Sequence, residues 1–244
     1  MDKIGHGTFI TSVVGSIHED CPGIAPDAEI YVFKVFTESR QSFTSWFLDA
    51  FNFVLDQNID IVNLSNGSSD YLDKPFIEKI NELTAHGVIV VSAIGNDGPF
   101  QGTLNNPGDL VNVIGVGSLD HTEKKVAPFS SRGITTWSLL DGFGIIKPDI
   151  LTFGAKIRGL SSSVPHGQPS QCTVSQGTSV SCSIVSASVA LALSQIDDSR
   201  LRKEIQNSAF IKEALIKSAV PLKDLSITEQ GAGVFDLDVF MDLV

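Results

Sequence analysis

The sequence predicts an α/β fold of three layers, in which a mainly parallel central sheet carries helices on both faces. Apolar residues alternate along the chain between helical spacing and short continuous runs that are typical of buried strands. The run Val88–Ile94 is almost unbroken, as expected when both faces of a parallel strand are covered. With 244 residues and 42% hydrophobic content, the chain is long enough to bury one large core. We therefore treat residues 1–244 as a single domain.

The first part of the predicted fold alternates helices with strands. Apolar residues recur at helical spacing from Phe9 to Ile17, and Ile30–Phe36 has the composition of a strand. A second helix is predicted over Trp46–Leu55, and a strand over Ile59–Leu64 follows it. Because a helix separates successive strands, the strands are expected to lie parallel to one another.

A third helix is marked by signals at both of its ends. Asp73 can cap its first turn, Pro75 lies within that turn, and Gly87 follows its last apolar residues. The strand Val88–Ile94 comes next, and Val111–Val116 is predicted as a further strand. In a sheet of this kind, functional sites are expected at the carboxyl ends of the strands.

The second part of the chain is less regular until its last helices. Residues 118–176 are rich in Gly, Ser and Pro and predict mainly loops. Val180–Leu193 is apolar nearly all round, which indicates a central helix that is buried on every side. Ile211–Ala219 predicts a last helix on the surface.

The composition excludes two classes of function. The formal net charge is -11 and the basic residues are scattered, so we expect no nucleic-acid partner. The apolar run Ala187–Leu193 is far shorter than the ~20 residues that a membrane-spanning helix needs. The apolar residues Phe9–Ile17 lack the basic leader of a signal peptide and are better explained as an amphipathic helix.

The three cysteines, Cys21, Cys172 and Cys182, match no zinc-binding spacing. One disulfide with one free thiol, three free thiols, and pairing to sequence outside this chain all fit the pattern. All three are equally well explained as ordinary small buried residues.

Three short segments contain the parts that an acyl-transfer site requires. Gly177-Thr178-Ser179 sets a serine in a glycine turn before an apolar helix, and Gly5-His6-Gly7 sets a histidine in the same way. Asn96 closes the apolar run of a strand. Taken singly, such segments are usually an N-cap, a loop and a turn. Their combination predicts Ser179 as a nucleophile, His6 as its base and Asn96 as a donor to the oxyanion.

The same segments resemble the motifs of the subtilase family. His6 precedes Ser179 and no Gly-x-Ser-x-Gly elbow is present, which fits the subtilisin order and argues against an α/β-hydrolase. The segments that resemble the histidine, asparagine and serine motifs, and the supporting blocks, are Asp2–Thr8, Ser92–Gly98, Gly177–Ser181, Ala25–Ala28, Phe129–Gly133, Lys147–Ile150 and Gln230–Gly233. The resemblance implies a subtilisin-like fold and a serine endopeptidase that cleaves polypeptides through an acyl-enzyme.

Two segments are expected to bind the substrate. In the subtilase family, the segment that follows Ser65 forms an edge for the bound peptide. The residues expected to offer backbone groups to an extended peptide, from opposite sides, are Ser65, Asn66 and Gly67, together with Ala93, Ile94 and Gly95. Asp70 and Asp73 follow the first segment and could receive a basic residue upstream of the cleavage site. A solvated carboxylate and a helix cap explain these two aspartates equally well.

The chain departs from the family pattern at its start and in its serine motif. No aspartate in the right context precedes His6, because Asp2 belongs to the histidine motif itself. We therefore expect the domain to be incomplete at its amino terminus, without its first strand or strands and without the triad acid, and to be inactive or nearly so as written. Ser183 stands where the serine motif has proline, and Cys182 lies beside it. The alternative function is that of a pseudoprotease fragment that binds extended peptides without cleaving them.

Further runs resemble a membrane-anchored branch of the subtilases, namely Thr44–Asn52, Gly102–Pro107 and Ile134–Trp137. This resemblance implies a calcium-influenced enzyme of the secretory pathway, in the Golgi or the ER lumen, that is made with a propeptide. It also implies that the substrates are precursor or membrane-bound proteins. No organic cofactor is expected, and the sequence does not identify the ligands of a metal ion.

Overall fold

The structure, a computed structural model, describes residues 2–120, 122, 125–135, 144–162 and 171–244. Thr136 and Trp137, which belong to one of the family-like runs, lie outside these residues. The helices are α1 (His6–Gly15), α2 (Thr44–Asp56), α3 (Lys74–Ala85), α4 (Thr178–Ser194), α5 (Ser199–Ile205), α6 (Ser208–Ser218), α7 (Ile227–Gln230) and α8 (Leu237–Leu243). The strands are β1 (Ile61–Leu64), β2 (Ile89–Ala93), β3 (Ile114–Asp120), β4 (Lys125–Val126), β5 (Gly133–Ile134), β6 (Ile146–Lys147), β7 (Ile150–Phe153), β8 (Ile157–Leu160) and β9 (Cys172–Ser175).

The central sheet is mainly parallel, as predicted. Strand β1 pairs in parallel with β2, β2 pairs in parallel with β3, and β3 pairs in parallel with β7. The short strand β4 adds to β3 in the antiparallel direction. Two small antiparallel pairs, β5 with β6 and β8 with β9, lie outside this sheet.

Helices cover both faces of the sheet. Within β2, Ile89, Val91 and Ala93 pack in one core cluster with buried residues of α4, α6 and α8. Val90 packs in a second cluster with buried residues of α2 and α3. Because side chains alternate along a strand, a strand that is covered on both faces must be apolar throughout. The almost unbroken apolar run Val88–Ile94 is therefore explained, as predicted, by the burial of both faces of the strand.

The predicted helices form with small shifts at their ends. Helix α3 is capped by the side chain of Asp73, which accepts a hydrogen bond from the backbone N–H of Phe76 at 3.2 Å. Helix α4 is buried along almost its whole length, which confirms the prediction of a central helix. The last predicted helix corresponds to α6, whose residues Ile211 and Leu215 are buried in the core. No helix in the described part of the chain is long and apolar enough to cross a membrane.

Two strand predictions are wrong in part. The segment Ile30–Phe36 does not form a strand, and the side chains of Tyr31, Val32 and Phe33 are exposed. The other predicted strand begins only at Ile114, because the residues before it form a turn in which Val113 donates to the carbonyl of Leu110. A strand needs a neighbouring strand to satisfy its backbone groups, and composition alone cannot provide one.

A cavity of about 1960 Å³ is lined both by the segment Ile30–Phe36 and by β1. Within the described residues, β1 pairs with β2 and with no other strand, so it is an edge of the sheet. The cavity is also lined by Phe51 of α2 and by Ile10 and Val14 of α1. Apolar side chains of the segment and of β1 are therefore left facing a large space instead of each other.

The cysteines form one disulfide and one free thiol. Cys21, which follows α1, is bonded to Cys172 of β9, and 151 residues separate the two in sequence. Cys182 is a free thiol buried in α4. The structure therefore selects one of the alternatives that the sequence left open.

A buried ion-pair cluster joins the end of β6 and Asp149, which precedes β7, to α6. The Nζ atom of Lys147, which has no exposed surface, donates to Asp149 Oδ2 at 2.7 Å and to the carbonyl of Val113 at 2.8 Å. Lys212 Nζ lies 2.9 Å from Asp149 Oδ1. Burial lowers the pKa of Lys147 to about 8, although the charge of Asp149 acts in the opposite direction. Asp149 is thus the counter-charge that two lysines share.

We expect the substitution Asp149→Asn to destabilise the domain by about 3–5 kcal/mol, because it leaves a buried lysine without a counter-charge. Differential scanning calorimetry of the full-length protein would show a lower transition midpoint. The substitution Glu213→Gln is the matched control, because it breaks the exposed pair of Glu213 with Lys217 and should leave the midpoint unchanged. Equal midpoints for Asp149→Asn and the parent would contradict this prediction.

Candidate active site

His6 is the first residue of α1, and the loop before it is fixed by Asp2. The carboxylate of Asp2 accepts hydrogen bonds from the backbone N–H groups of Ile4, Gly5 and Thr8 and from the Thr8 hydroxyl, at 2.8–3.1 Å. Burial of Asp2 opposes its ionisation, but these hydrogen bonds outweigh burial and lower its pKa to about 2. The contacts of Asp2 are to its own turn, which agrees with its assignment to the histidine motif.

Ser179 lies in the first turn of α4, directly after a glycine turn. Gly177 has a φ of 141°, in the region that favours glycine, and it precedes the helix. The backbone N–H of Thr178 donates to Asn96 Oδ1 at 2.9 Å, and the Thr178 hydroxyl donates to the carbonyl of Gly95 at 3.1 Å. These bonds hold the amino end of α4 against the carboxyl end of β2. The first N–H groups of a helix have no helical acceptor and favour negative charge.

His6 and Ser179 meet at one carbonyl oxygen. The hydroxyl of Ser179 donates to the carbonyl of Ser65 at 2.8 Å, and His6 Nε2 lies 3.2 Å from the same oxygen. His6 is exposed, whereas Ser179 is only 8% exposed. A rotation of the Ser179 hydroxyl away from Ser65 is needed before His6 can accept its proton. Loose contacts of this kind are common in catalytic sites that hold no substrate.

Asn96 is oriented so that its amide can act as a donor. Its Oδ1 atom accepts from the N–H and from the hydroxyl of Thr178, so Nδ2 is directed away from these groups. A Cβ atom built on Gly177 would lie 3.6 Å from Asn96 Oδ1, 3.7 Å from Asn96 Nδ2 and 3.9 Å from the backbone nitrogen of Ser179. Both nitrogens therefore border the space beside Gly177. Two donors at one point are what an oxyanion requires.

The two predicted substrate segments differ in how far their backbones are already used. Ile94 donates to the carbonyl of Val116 and accepts from the N–H of Asn105, and both backbone groups of Gly95 are hydrogen-bonded to other residues. Ala93 is the last residue of β2 and pairs with β3. The backbone groups of Ile94 and Gly95 are thus engaged, and so is the Ser65 carbonyl of the other segment, which follows β1. Pairing of a peptide with Ser65, Asn66 and Gly67, and with Ala93, Ile94 and Gly95, stays a prediction.

The two aspartates beside that segment are placed differently. Asp73 accepts from Phe76 through one oxygen and from the Thr44 hydroxyl through the other, so its carboxylate serves as a helix cap. Asp70 is exposed, and its Oδ1 atom accepts from the backbone N–H of Leu72 at 2.9 Å. Of the two, Asp70 is the carboxylate that remains accessible to a basic residue.

Sequence reasoning missed Asn63, which lies within β1 and contacts both α4 and Ser65. The sequence signal that could have identified Asn63 was a polar residue inside an otherwise apolar strand. A polar side chain in such a place needs buried partners, and these are visible only when the fold is known.

One group of His, Cys, Asp and Glu side chains in the described part of the chain is close enough to share a metal ion, and it consists of His18, Cys21 and Cys172. Calcium prefers oxygen ligands, and two of these three residues are joined in the disulfide, so this group does not suit calcium. The dependence on calcium stays a prediction.

A hydroxyl and an imidazole close to one another, with N–H donors beside the hydroxyl, are the groups that the active site of a serine hydrolase requires. The site lies at the carboxyl ends of β1 and β2, where parallel α/β sheets place their ligands. The chain belongs to the subtilase family, because residues 1–234 match the model of the Subtilase family, Peptidase_S8. Members of this family are serine proteases.

Several known proteins are similar to this chain. The human "Membrane-bound transcription factor site-1 protease" is 50% identical over 236 residues, which cover 97% of this chain and 21% of that protein. The Arabidopsis thaliana "Subtilisin-like protease SBT6.1" is 48% identical, over 97% of this chain and 22% of that protein. The solved structure of the "Prenylagaramide maturation protease PagA" has a TM-score of 0.78 at 26% identity, and covers 98% of this chain and 82% of that one.

These similarities confirm the subtilisin-like fold and the resemblance to a membrane-anchored branch of the family. The chain spans about a fifth of the length of the curated relatives that it matches most fully.

Proposed function

We infer that this chain is a catalytic domain of a serine endopeptidase that cleaves polypeptides through an acyl-enzyme. The observation that carries the inference is the meeting of His6 Nε2 and Ser179 Oγ at the carbonyl of Ser65, beside the amide of Asn96. A protein that only binds peptides needs none of these three side chains. Their common location therefore supports the protease over the pseudoprotease.

The proposed reaction has two steps. Ser179 Oγ attacks the scissile carbonyl while His6 Nε2 takes the hydroxyl proton, and a C–O bond forms. The oxyanion is stabilised by the backbone N–H of Ser179 and by Asn96 Nδ2. His6 then gives the proton to the leaving amine as the C–N bond breaks. In the second step, water attacks the acyl carbon while His6 takes one of its protons, and a new C–O bond forms. The C–O bond to Ser179 then breaks, His6 returns the proton to Ser179 Oγ, and the acid product leaves.

Among the described residues, the histidine lacks one partner that this mechanism needs. His6 Nε2 lies 3.2 Å from the Ser65 carbonyl, and the ring has no hydrogen bond to a carboxylate of the described residues. A triad acid fixes the tautomer of the histidine and stabilises the imidazolium that forms. We propose that this acid is carried by a strand that occupies the cavity between β1 and Ile30–Phe36, since the cavity is also lined by His6.

The nucleophile is tested by labelling. A fluorophosphonate probe added to the full-length protein should form one adduct, and peptide mass spectrometry should locate it on Ser179. Heat-denatured protein is the control and should not react, because the probe requires the assembled site. An adduct on any other serine would overturn the assignment.

The donor is tested by Asn96→Ala. We expect kcat to fall by about 10²–10³, a range that comes from subtilisin itself, because the oxyanion exists only after attack. KM should be unchanged, since the amide does not contact the bound substrate before attack. Steady-state kinetics on a chromogenic peptide measures both constants. A rise in KM that accounts for the whole loss would mean that Asn96 binds substrate instead.

The substrates are proposed to be extended peptides that bind along Ser65–Gly67 and have a basic residue upstream of the cleavage site. Because Asp73 is engaged as a helix cap, the preference should depend on Asp70. We expect Asp70→Asn to reduce the preference for basic over neutral peptides in a peptide library. Asp238→Asn, in α8, is the matched control and should leave it unchanged. If the parent protein showed no preference for basic peptides in the library, the proposed substrate preference would be contradicted.

The cellular setting is also proposed. Relatives named as membrane-bound support a role in the secretory pathway, in the Golgi or ER lumen, on precursor or membrane-bound proteins. The disulfide between Cys21 and Cys172 supports an oxidising compartment. A propeptide and a dependence on calcium remain part of this proposal.

A further inference from the structure

Behind the nucleophile, a chain of hydrogen bonds runs from α4 to β1 and returns to α4. Cys182 Sγ lies 3.1 Å from Asn63 Oδ1. Asn63 Nδ2 lies 2.9 Å from Ser65 Oγ, which in turn lies 2.9 Å from the carbonyl oxygen of Ser179. The chain therefore begins and ends within one turn of the nucleophile, with β1 between its two ends.

The direction of these bonds follows from the orientation of the Asn63 amide in the structure. The Cys182 thiol donates to Asn63 Oδ1, and the Ser186 hydroxyl also lies 3.0 Å from that oxygen. The amide nitrogen of Asn63 must then face Ser65, and it donates to the Ser65 hydroxyl oxygen. The Ser65 hydroxyl is left to give its proton to the Ser179 carbonyl. Burial raises the pKa of Cys182 to about 12, so the thiol keeps the proton it donates at neutral pH.

Ser65 connects this series of hydrogen bonds to the candidate active site. Its hydroxyl holds the backbone of Ser179, and its carbonyl accepts from the Ser179 hydroxyl and lies 3.2 Å from His6 Nε2. A change in the orientation of Ser65 would therefore move the acceptor shared by both proposed catalytic groups. Cys182 is fully buried, so water does not compete for the thiol that begins the chain.

We propose that Asn63 is a positioning residue, which orients Ser65 and so sets the first turn of α4 relative to His6. Cys182 fixes the orientation of the Asn63 amide. Neither side chain touches the reacting atoms, so both act through Ser65. The proposal rests on the proposed function, because it concerns the alignment of Ser179 for attack.

The test uses the full-length protein and the rate at which a fluorophosphonate labels Ser179. Asn63→Leu keeps the size of the side chain, adds no charge and removes every hydrogen bond. We expect labelling and kcat to fall together by about 10²-fold, the effect of a small misalignment of a reacting group, with KM unchanged. Cys182→Ala should cause a loss of about 10-fold, the equivalent of one net hydrogen bond. Cys182→Ser should restore most of the rate, because a hydroxyl can donate in place of the thiol.

Ser183→Ala is the matched control. Ser183 is as deeply buried in α4 as Cys182, but its hydroxyl donates to the carbonyl of Val180 within the helix. The substitution Ser183→Ala should therefore leave the rate of Ser179 labelling per folded molecule unchanged. Calorimetry measures the folded fraction. Equal losses in Ser183→Ala and Cys182→Ala, or parent rates in Asn63→Leu, would overturn the proposal. If Asn63→Leu does not fold, the comparison of Cys182→Ala with Cys182→Ser decides.

The proposed function and the proposed role of Asn63 can be contradicted independently of each other. Labelling of Ser179 in the parent protein establishes the nucleophile before any of these variants is compared. Absence of that labelling contradicts the proposed function, whereas equal labelling of the parent and the variants contradicts only the role of Asn63.

Discussion

Substitution of Ser179 by alanine should reduce kcat of the full-length protein by a factor on the order of 10⁶, the loss that follows removal of the nucleophile in subtilisin. The reason is that no acyl-enzyme can form, and only the oxyanion donors and substrate binding remain to act on the peptide. The affinity for a peptide inhibitor should be unchanged, because the hydroxyl adds little to ground-state binding. Progress curves with a fluorogenic peptide measure the loss, and fluorescence anisotropy measures the affinity.

Ser181→Ala is the matched control for that experiment. Ser181 lies two residues further along α4, is fully buried and points its hydroxyl at the carbonyls of Thr152 and Phe153. Its loss should change stability without removing activity. If Ser179→Ala retained activity above that of a heat-inactivated sample, the nucleophile would have to be a different residue.

The second large effect concerns the cavity beside β1. We expect residues 1–244, produced alone, to turn over substrate at least about 10⁴-fold more slowly than the full-length protein, which is the cost of losing the function of a triad acid in other serine proteases. Within the described residues, the cavity of about 1960 Å³ leaves the edge of β1 unpaired, and the side chain of Val32 is 65% exposed. An uncovered sheet edge of this kind promotes aggregation. The isolated chain should therefore also be poorly soluble.

The measurement compares both proteins at equal concentrations of soluble protein. Size-exclusion chromatography gives the soluble fraction, and calorimetry shows whether a cooperative transition is present. Full-length protein with Ser179→Ala provides the background rate. A soluble 244-residue product that melts cooperatively and hydrolyses peptides at the rate of the full-length protein would show that the cavity needs no further strand.

The sequence by itself determined the elements whose pattern reflects burial along the whole segment. The run Val88–Ile94 predicted a strand covered on both faces, and Val180–Leu193 predicted a helix buried on all sides; both are present. The three motifs around His6, Asn96 and Ser179 were likewise readable, because each needs a particular residue type in a glycine turn or at a strand end. These features depend on neighbours in sequence, which is the information that a single chain displays.

The tertiary structure alone decided the features that depend on residues far apart in sequence. Ile30–Phe36 has the composition of a strand, but it forms none because no strand among the described residues supplies its hydrogen bonds. The pairing of Cys21 with Cys172 joins segments 151 residues apart. The meeting of His6 and Ser179 at the Ser65 carbonyl, with Asn63 behind it, joins α1, α4 and the end of β1. Hydrogen-bond partners in a folded chain are set by the packing of whole elements, and the composition of each element leaves that packing open.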